Sequence, residues 1–413
     1  MTNLSLADFS LDGLGLLDLA IVALVLAAFA VKRALAQYPV PPLVGFILLG
    51  LALRWADTQW GVLTDQGFVV LEFMGGLGLV VLLFRVGLDS DLHRLIEKLP
   101  TAIPIWVSNV FVSGTAGYVT AYYVLDTGLI PSLFIATAMT ATSAAVAADV
   151  WRDCGKLKSP DGALMLDVVE LDDFSGVILM MALLAVTPTL LSGANGALPE
   201  LLARISAVFF LKAVLFGAIC LVIARYGQAH IPSILARTKP PGSILIVIGT
   251  VIFIAAIGEV LGFSLAVGAF FAGLIFSRDP EVVHMETSFL PLQSVFAPFF
   301  FIGIGLAVDP NVLPAGGALG AVLIIAAVAG KVVGGGVPAL WATNRAGALT
   351  LGISLVPRAE IALVIMGQGL ALGPSVIPAE LYAGMVVMIL ATCFAVPVVL
   401  RQRLMNPSTA DAD

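Results

Sequence analysis

The sequence predicts an all-α, polytopic membrane protein of about 13 transmembrane helices, and its composition is the first observation behind this prediction. Of the 413 residues, 60% are hydrophobic and only 11% are charged, whereas an ordinary globular protein is about one quarter charged. So few charges cannot cover a water-facing surface of this size, but they can cover the loops of a membrane-embedded protein. The net charge of −7 argues against nucleic acid as a partner.

Long apolar runs are the second observation, because a helix needs roughly 20 apolar residues to cross a bilayer. These runs form a single transmembrane unit, residues 1–403, followed by a short tail, 404–413. Thirteen runs are predicted as spans, and they centre on 15–34, 40–56, 67–88, 101–123, 128–149, 161–187, 205–226, 242–258, 261–277, 288–308, 314–341, 346–371 and 381–400.

The distribution of Lys and Arg predicts the orientation, since these residues stay preferentially on the cytoplasmic side. With the N-terminus outside, fourteen of them fall in cytoplasmic loops and only two, Arg54 and Arg204, fall outside. We therefore expect a multi-pass protein of the cell (inner) membrane, with an external N-terminus and a cytoplasmic C-terminus. The predicted helices would lie in the lipid bilayer.

A repeated glycine pattern is the third observation. Gly268 lies 223 residues after Gly45, and each is followed by a Gly-Leu pair at the same spacing. Gly305 lies 218 residues after Gly87, and each again precedes Leu and then Asp. This shift equals seven helices, an odd number, so the two copies would cross the membrane in opposite senses. The pattern predicts an inverted repeat, approximately 15–190 and 242–403 joined by a linking helix at 205–226, as in many secondary transporters.

Two of the predicted spans contain polar or proline-containing stretches at matched positions of the two copies. Residues 140–143 have the sequence Thr-Ala-Thr-Ser, and residues 357–360 have the sequence Pro-Arg-Ala-Glu. Such interruptions predict discontinuous helices that line a substrate site. Unwound backbone at membrane depth requires surrounding protein or a water-filled cavity.

Four acidic residues lie within the sixth predicted span: Asp167, Glu170, Asp172 and Asp173. Each intramembrane charge costs about 2.5–3.5 kcal/mol on insertion scales, so these side chains are candidates for function. Asp172 and Asp173 face different neighbours, because a helix turns about 100° per residue. Glu170 and Asp167 continue the face of Asp173 towards the cytoplasm, where they form either a hydrated funnel or the end of the helix near the headgroups.

Carboxylates in a partly dry cavity can exchange a proton for a cation, and hard monovalent cations prefer oxygen ligands. Asp173, the hydroxyl groups of Thr142 and Ser143, and the carbonyls freed at the break are the predicted ligands. Lys331 lies within the eleventh span and needs an acidic partner, for which Asp172 is the natural candidate. No cofactor is expected, and the three cysteines show no metal-binding spacing.

Arg358 and Glu360 flank the second break. We expect them to pair with each other, to pair with acids elsewhere, or to brace the broken helix.

Five short motifs together resemble the monovalent cation/proton antiporter superfamily, specifically its paired-aspartate branch of bacterial sodium/proton antiporters. The similarity extends from about the second span to the last. Each motif is weak by itself, but the five occur in order and at family-like spacing: Thr140–Ser143, Leu171–Asp173 followed by Gly176, Gly268–Leu274, Gly330–Lys331, and Pro357–Glu360 followed by Ala362–Val364.

This resemblance implies the sodium/proton antiporter fold, with a dimerisation domain, a mobile core around two crossed broken helices, and alternating access in a homodimer. It implies that Asp173 binds Na⁺ and the proton and that Asp172 pairs with Lys331. Thr142 and Ser143 match the first break, and Arg358 and Glu360 match the charged pair at the second. The Asp-Asp pair resembles the electrogenic members. Glu170 and Asp167 depart from the family pattern, which leaves stoichiometry and ion choice open.

The function predicted from the sequence is exchange of Na⁺ (or Li⁺) for H⁺, with K⁺/H⁺ exchange as the nearest alternative. A membrane-embedded enzyme is more remote, because prenyltransferase-like sites need aspartate motifs on two helices and intramembrane aspartyl proteases need one aspartate on each of two. A channel is equally remote, since Lys331 beside Asp172 would impede cation flow. We therefore expect a transporter and not an enzyme.

Overall fold

A computed structural model of the chain describes residues 14–38, 40–89, 92–192, 242–261, 263, 265–276 and 286–405, together with scattered positions between 204 and 223. Three predicted features lie wholly or partly outside these ranges: the external N-terminus, the linking helix at 205–226, and the tail. The first two residues of the tail predicted at 404–413 belong instead to the last helix, which continues to Met405.

Most of the described residues form α-helices, with a short π-helix at Thr120–Val124 and a 3-10 helix at Pro310–Val312, and no strand occurs among them. Every predicted span other than 205–226 coincides with a helix or with a pair of helices. The helices are α1 (Leu14–Leu35), α2 (Pro42–Trp60), α3 (Asp65–Asp89), α4 (Leu92–Val119), α5 (Leu129–Thr140), α6 (Ala144–Asp153), α7 (Pro160–Leu191), α8 (Gly242–Val260), α9 (Leu265–Phe276), α10 (Glu286–Leu306), α11 (Leu313–Ala339), α12 (Arg345–Ser354), α13 (Glu360–Ala371) and α14 (Ala379–Met405).

Two predicted spans are each a pair of short helices, as their polar interruptions indicated. The span predicted at 128–149 is α5 and α6, separated by residues 141–143. The span predicted at 346–371 is α12 and α13, separated by residues 355–359. Backbone amides and carbonyls of these two segments cannot all be satisfied within a helix, so their partners must come from elsewhere in the protein.

The length and composition of the described helices fit a multi-pass membrane protein. Four shorter apolar helices are Ile248–Val260, Val267–Phe276, Pro291–Leu306 and Glu360–Ala371. Six stretches are long and apolar enough to cross a membrane: Asp65–Leu88, Pro100–Val124, Leu129–Asp153, Pro160–Leu191, Pro310–Ala339 and Ala379–Met405. The total of thirteen spans stays a prediction.

Two close helix crossings use the glycines of the repeated pattern. At the crossing of α2 and α10, a Cβ built on Gly305 would lie 2.0 Å from the carbonyl oxygen of Ile47, and one on Gly50 would lie 2.0 Å from that of Ile302. At the crossing of α3 and α9, Gly87 and Gly273 approach the opposite backbone just as closely. The two crossings occupy equivalent positions of the predicted repeat, and the inverted repeat itself stays a prediction.

Small residues also bring α4 close to α11. A Cβ on Gly330 would lie 3.0 Å from the Cα of Ser113, and a Cβ on Gly334 would lie 3.1 Å from the Cα of Asn109. Close backbone approach is the usual purpose of small residues where helices pack in a membrane. It places the middle of α4 beside the part of α11 that carries Lys331.

The tight crossing of α2 and α10 predicts that Gly305→Ala destabilises the protein. The added methyl group has no space beside the Ile47 carbonyl, and such overpacking costs about 1–3 kcal/mol. We expect a clear fall in the melting temperature of the purified protein in detergent. Gly303→Ala on the same helix is the control, because a Cβ there meets nothing within 4 Å. Equal melting temperatures for the two variants would contradict the crossing.

Candidate functional site

The two helix breaks meet each other inside the protein. The backbone N–H of Ser143 donates to the carbonyl of Pro357 at 2.8 Å, and the Thr142 hydroxyl lies 3.3 Å from the carbonyl oxygen of Leu355. Beside the breaks, the indole N–H of Trp151 on α6 donates to the Ser354 hydroxyl on α12 at 2.9 Å. Each interrupted helix therefore satisfies polar groups of the other, as unwound backbone in a membrane requires.

Two buried basic side chains donate hydrogen bonds to the last carbonyl groups of α5. Lys331 Nζ donates to the carbonyl of Thr140 at 2.6 Å, and Arg358 donates from one terminal nitrogen to the carbonyl of Met139 at 2.9 Å. The other terminal nitrogen of Arg358 donates to the carbonyl oxygen of Val356 at 2.8 Å. Positive charge at a helix C-terminus opposes the partial negative charge of the last carbonyls. Lys331 and Arg358 therefore stabilise the end of the half-helix that stops inside the membrane.

Asp172 receives three hydrogen bonds on a single oxygen. Lys331 Nζ lies 2.9 Å from Asp172 Oδ2, the Thr142 hydroxyl donates to it at 2.6 Å, and the Asn109 amide donates to it at 2.6 Å. Lys331 also donates to the Thr142 hydroxyl at 2.8 Å. Asp172 and Lys331 are both fully buried, and the pair expected from the sequence is present.

Asn109 was not among the residues that the sequence singled out. It lies on α4 within the predicted span 101–123, and its side chain is fully buried. A lone amide in an apolar run carries no charge and belongs to no repeat, so it gives a weak signal. Its position four residues before Ser113, whose hydroxyl donates to the Asn109 carbonyl, shows that both polar residues face the interior.

Asp173 follows directly in the sequence but has different surroundings. Its side chain is buried, with 7% of the residue exposed, and it has no hydrogen-bond or ion-pair partner in the described part of the chain. Among the described residues, Glu360, Asp172 and Glu170 contribute negative charge near Asp173, and Lys331 contributes positive charge. Asp172 already neutralises Lys331, so Asp173 is a carboxylate without a cation of its own.

The remaining predicted residues have mixed placements. The Ser143 hydroxyl lies 3.3 Å from Glu360 Oε2, across the crossing of the breaks. The pairing of Arg358 with Glu360 that the sequence left open is absent, because Arg358 is directed to backbone carbonyls. Bracing of the broken helix is therefore the role that its contacts support. Asp167 is buried and Glu170 is half-buried, both on α7 before Asp173.

The observed surroundings of Thr142 differ from the expected ones. The sequence suggested it as a ligand beside Asp173, but its hydroxyl is occupied between Asp172, Lys331 and the carbonyl of Leu355. The hydroxyl has one hydrogen to donate, and its short contact to Asp172 uses it.

This arrangement permits one kind of chemistry in particular. A buried carboxylate that lacks a basic partner is costly to keep charged. Either one proton or one monovalent cation would neutralise Asp173, and the two would compete for the same oxygen atoms. The neighbouring Asp172–Lys331 pair is already neutral and need not take part in this competition.

The crossed, broken helices around buried carboxylates define a secondary-transporter fold in a multi-pass membrane protein. The family model described as "Sodium/hydrogen exchanger, transmembrane" matches residues 20–405, and the chain belongs to this family, which is one of transporters. A relative in Synechocystis sp., named high-affinity Na⁺/H⁺ antiporter NhaS3, is 32% identical over 88% of this chain and 77% of its own.

Two further comparisons extend this finding. A relative in Bacillus cereus, named Na⁺/H⁺-K⁺ antiporter GerN, is 24% identical over 87% of this chain and 89% of its own. The solved structure of the sodium proton antiporter MjNhaP1 from Methanocaldococcus jannaschii superposes with a TM-score of 0.68. It covers 94% of this chain and 96% of its own at 14% identity. This similarity shows that the two chains share a fold.

The buried pair predicts that Lys331→Ala destabilises the protein strongly. The change leaves Asp172 charged and without its cation in a low-dielectric site, and breaking such a pair costs about 3–5 kcal/mol. We expect a large fall in melting temperature in detergent, of which the double variant Lys331→Ala/Asp172→Asn recovers a part. An unchanged melting temperature for Lys331→Ala would argue against the pair.

Proposed function

We propose that this protein is a secondary antiporter that exchanges Na⁺ (or Li⁺) for H⁺ across the membrane. One observation carries the proposal: Asp173 is buried at the crossing of two broken helices and has no basic partner of its own among the described residues. Membership of the sodium/hydrogen exchanger family and the names of relatives such as NhaS3 support the same reaction and the choice of Na⁺.

The proposed mechanism assigns a different task to each part of the site. Asp173 binds Na⁺ or the proton, but not both at once. The hydroxyl group of Ser143, which faces Glu360, supplies a further oxygen atom. Asp172 and Lys331, with Thr142 between them, hold the two breaks in register. Arg358 anchors the end of α5 and takes no direct part in binding.

Exchange follows from competition combined with alternating access. The binding site opens to one side of the membrane at a time, and Asp173 returns neutralised by either ion. An unneutralised, buried Asp173 is unfavourable during the movement, so an empty site does not cross and the two fluxes are coupled. We propose that the protein acts as a homodimer in the cell membrane, with the N-terminus outside and the C-terminus in the cytoplasm. One proton exchanged for one Na⁺ at Asp173 moves no net charge, so the electrogenic exchange expected from the paired aspartates needs a second proton per cycle that Asp173 alone does not carry.

K⁺ in place of Na⁺ is the second candidate. The name of GerN includes K⁺, and Glu170 and Asp167 add acidic groups near Asp173. We propose that these two acids line a hydrated path from the cytoplasm to the site. Glu170→Gln should then shift the pH profile of exchange, and an identical profile would remove Glu170 from that path.

The proposed function predicts that Asp173→Asn abolishes exchange and leaves the protein folded. The amide fills nearly the same volume but binds neither Na⁺ nor a proton in place of the carboxylate. Proton movement in everted vesicles is measured after addition of Na⁺, Li⁺ or K⁺ in separate experiments. We expect a Na⁺ or Li⁺ response in the wild-type protein and none in the variant, at equal amounts of inserted protein.

Asp149→Asn is the matched control, because Asp149 is an exposed carboxylate on α6 that pairs with Arg152 and does not contact the proposed site. It should retain wild-type exchange. Retained exchange in Asp173→Asn would remove this residue from the mechanism. A response to K⁺ alone in the wild-type protein would replace Na⁺ by K⁺ as the substrate.

A further inference from the structure

Asn109 is a buried polar residue whose presence packing does not explain. Its side chain is fully buried, and its amide nitrogen donates to Asp172 Oδ2 at 2.6 Å. Its Oδ1 has no hydrogen-bond partner in the described part of the chain. A buried acceptor without a donor is unfavourable, whereas an apolar residue of the same size would leave nothing unpaired. The one side-chain hydrogen bond that offsets this cost among the described residues is the bond to Asp172.

The hydrogen bonds of Asp172 are unevenly distributed between its two oxygens. Oδ2 accepts from Asn109, Thr142 and Lys331, whereas Oδ1 is buried and accepts from no described residue. The three donors belong to α4, to the first helix break and to α11. Together they hold the carboxylate in one orientation, which neither Lys331 nor Thr142 could do as firmly alone.

The backbone around Asn109 is built to bring its amide to this oxygen. A Cβ built on Gly334 would lie 3.1 Å from the Cα of Asn109, so α4 and α11 are in close contact at this level. Asn109 and Lys331 consequently approach Asp172 from adjacent helices. Rigid neighbours of this kind hold a side chain more precisely than a loop would.

We propose that Asn109 is a positioning residue that makes the cation site specific for monovalent ions. By holding Asp172 against Lys331, it prevents this carboxylate from turning to share a cation with Asp173. The cation then meets one carboxylate instead of two, and the affinity of oxygen sites for Ca²⁺ depends strongly on the number of charged ligands. This inference rests on the proposed function, in which Asp173 binds the cation.

The experiment uses the full-length protein in proteoliposomes at one fixed pH. The rate of Na⁺-driven proton movement is measured against Na⁺ concentration, with and without Ca²⁺ as the probe of divalent binding. For Asn109→Leu we expect a lower apparent KM for Na⁺ together with a lower maximal rate, because a cation shared by two carboxylates is released more slowly. Half-inhibition by Ca²⁺ should move to about tenfold lower concentration, the effect of losing one hydrogen bond to a charged group.

Ser113→Ala is the matched control on the same helix. Ser113 is equally buried and donates to the Asn109 carbonyl, but it does not contact Asp172. This variant should keep the wild-type KM and the wild-type Ca²⁺ response. A lower maximal rate at unchanged KM in Asn109→Leu would indicate structural damage alone and would overturn the proposal, and so would an equal Ca²⁺ effect in Ser113→Ala.

Asn109→Ser serves if the leucine variant does not fold, because the shorter side chain cannot reach Asp172, and the same changes are expected. A second measurement does not depend on transport: the melting temperatures of Asn109→Leu, Asp172→Asn and the double variant. Non-additive losses are expected, since the two side chains are bonded, and additive losses would overturn the positioning role. Wild-type protein without any exchange would instead reject the proposed function.

Discussion

The structure depends on satisfying two stretches of unwound backbone inside a membrane. Residues 141–143 and 355–359 interrupt two helices, and each freed amide or carbonyl needs a partner, because the surrounding hydrocarbon supplies none. The protein meets this requirement by crossing the breaks, so that Ser143 donates to Pro357, and by placing Lys331 and Arg358 at the carbonyl end of α5. The same crossing creates a polar centre in an otherwise apolar protein.

The ion chemistry follows from the charges that this centre requires. Lys331 stabilises the break but needs an anion, which Asp172 provides at 2.9 Å. The adjacent Asp173 then lies in the same buried environment without a cation of its own. Binding of a proton or a cation from solution therefore stabilises Asp173 by removing its uncompensated charge. In the proposed mechanism, two consecutive residues therefore have different tasks: Asp172 pairs with Lys331, and Asp173 binds the transported ion.

Much of this arrangement was predictable from the sequence. Charged residues and proline are energetically unfavourable within an apolar helix, so their occurrence in an apolar run indicates a helix break or a functional site. The two breaks and the pairing of Lys331 with Asp172 were expected on that basis. The partners of Arg358 were not, since they are backbone carbonyls, which no side-chain pattern reveals. Asn109 was missed because a neutral amide interrupts an apolar run only slightly. The glycine pattern predicted a repeat but not which helices would cross, because that depends on tertiary packing.

The central claim is that Na⁺ and a proton compete for Asp173. The most direct test adds NaCl to the purified protein in weak buffer and measures released protons, with choline chloride as the ionic-strength control. Competition at Asp173 predicts saturable proton release with Na⁺ in the wild-type protein and none in Asp173→Asn. Na⁺ binding without proton release, or equal release from the variant, would contradict it.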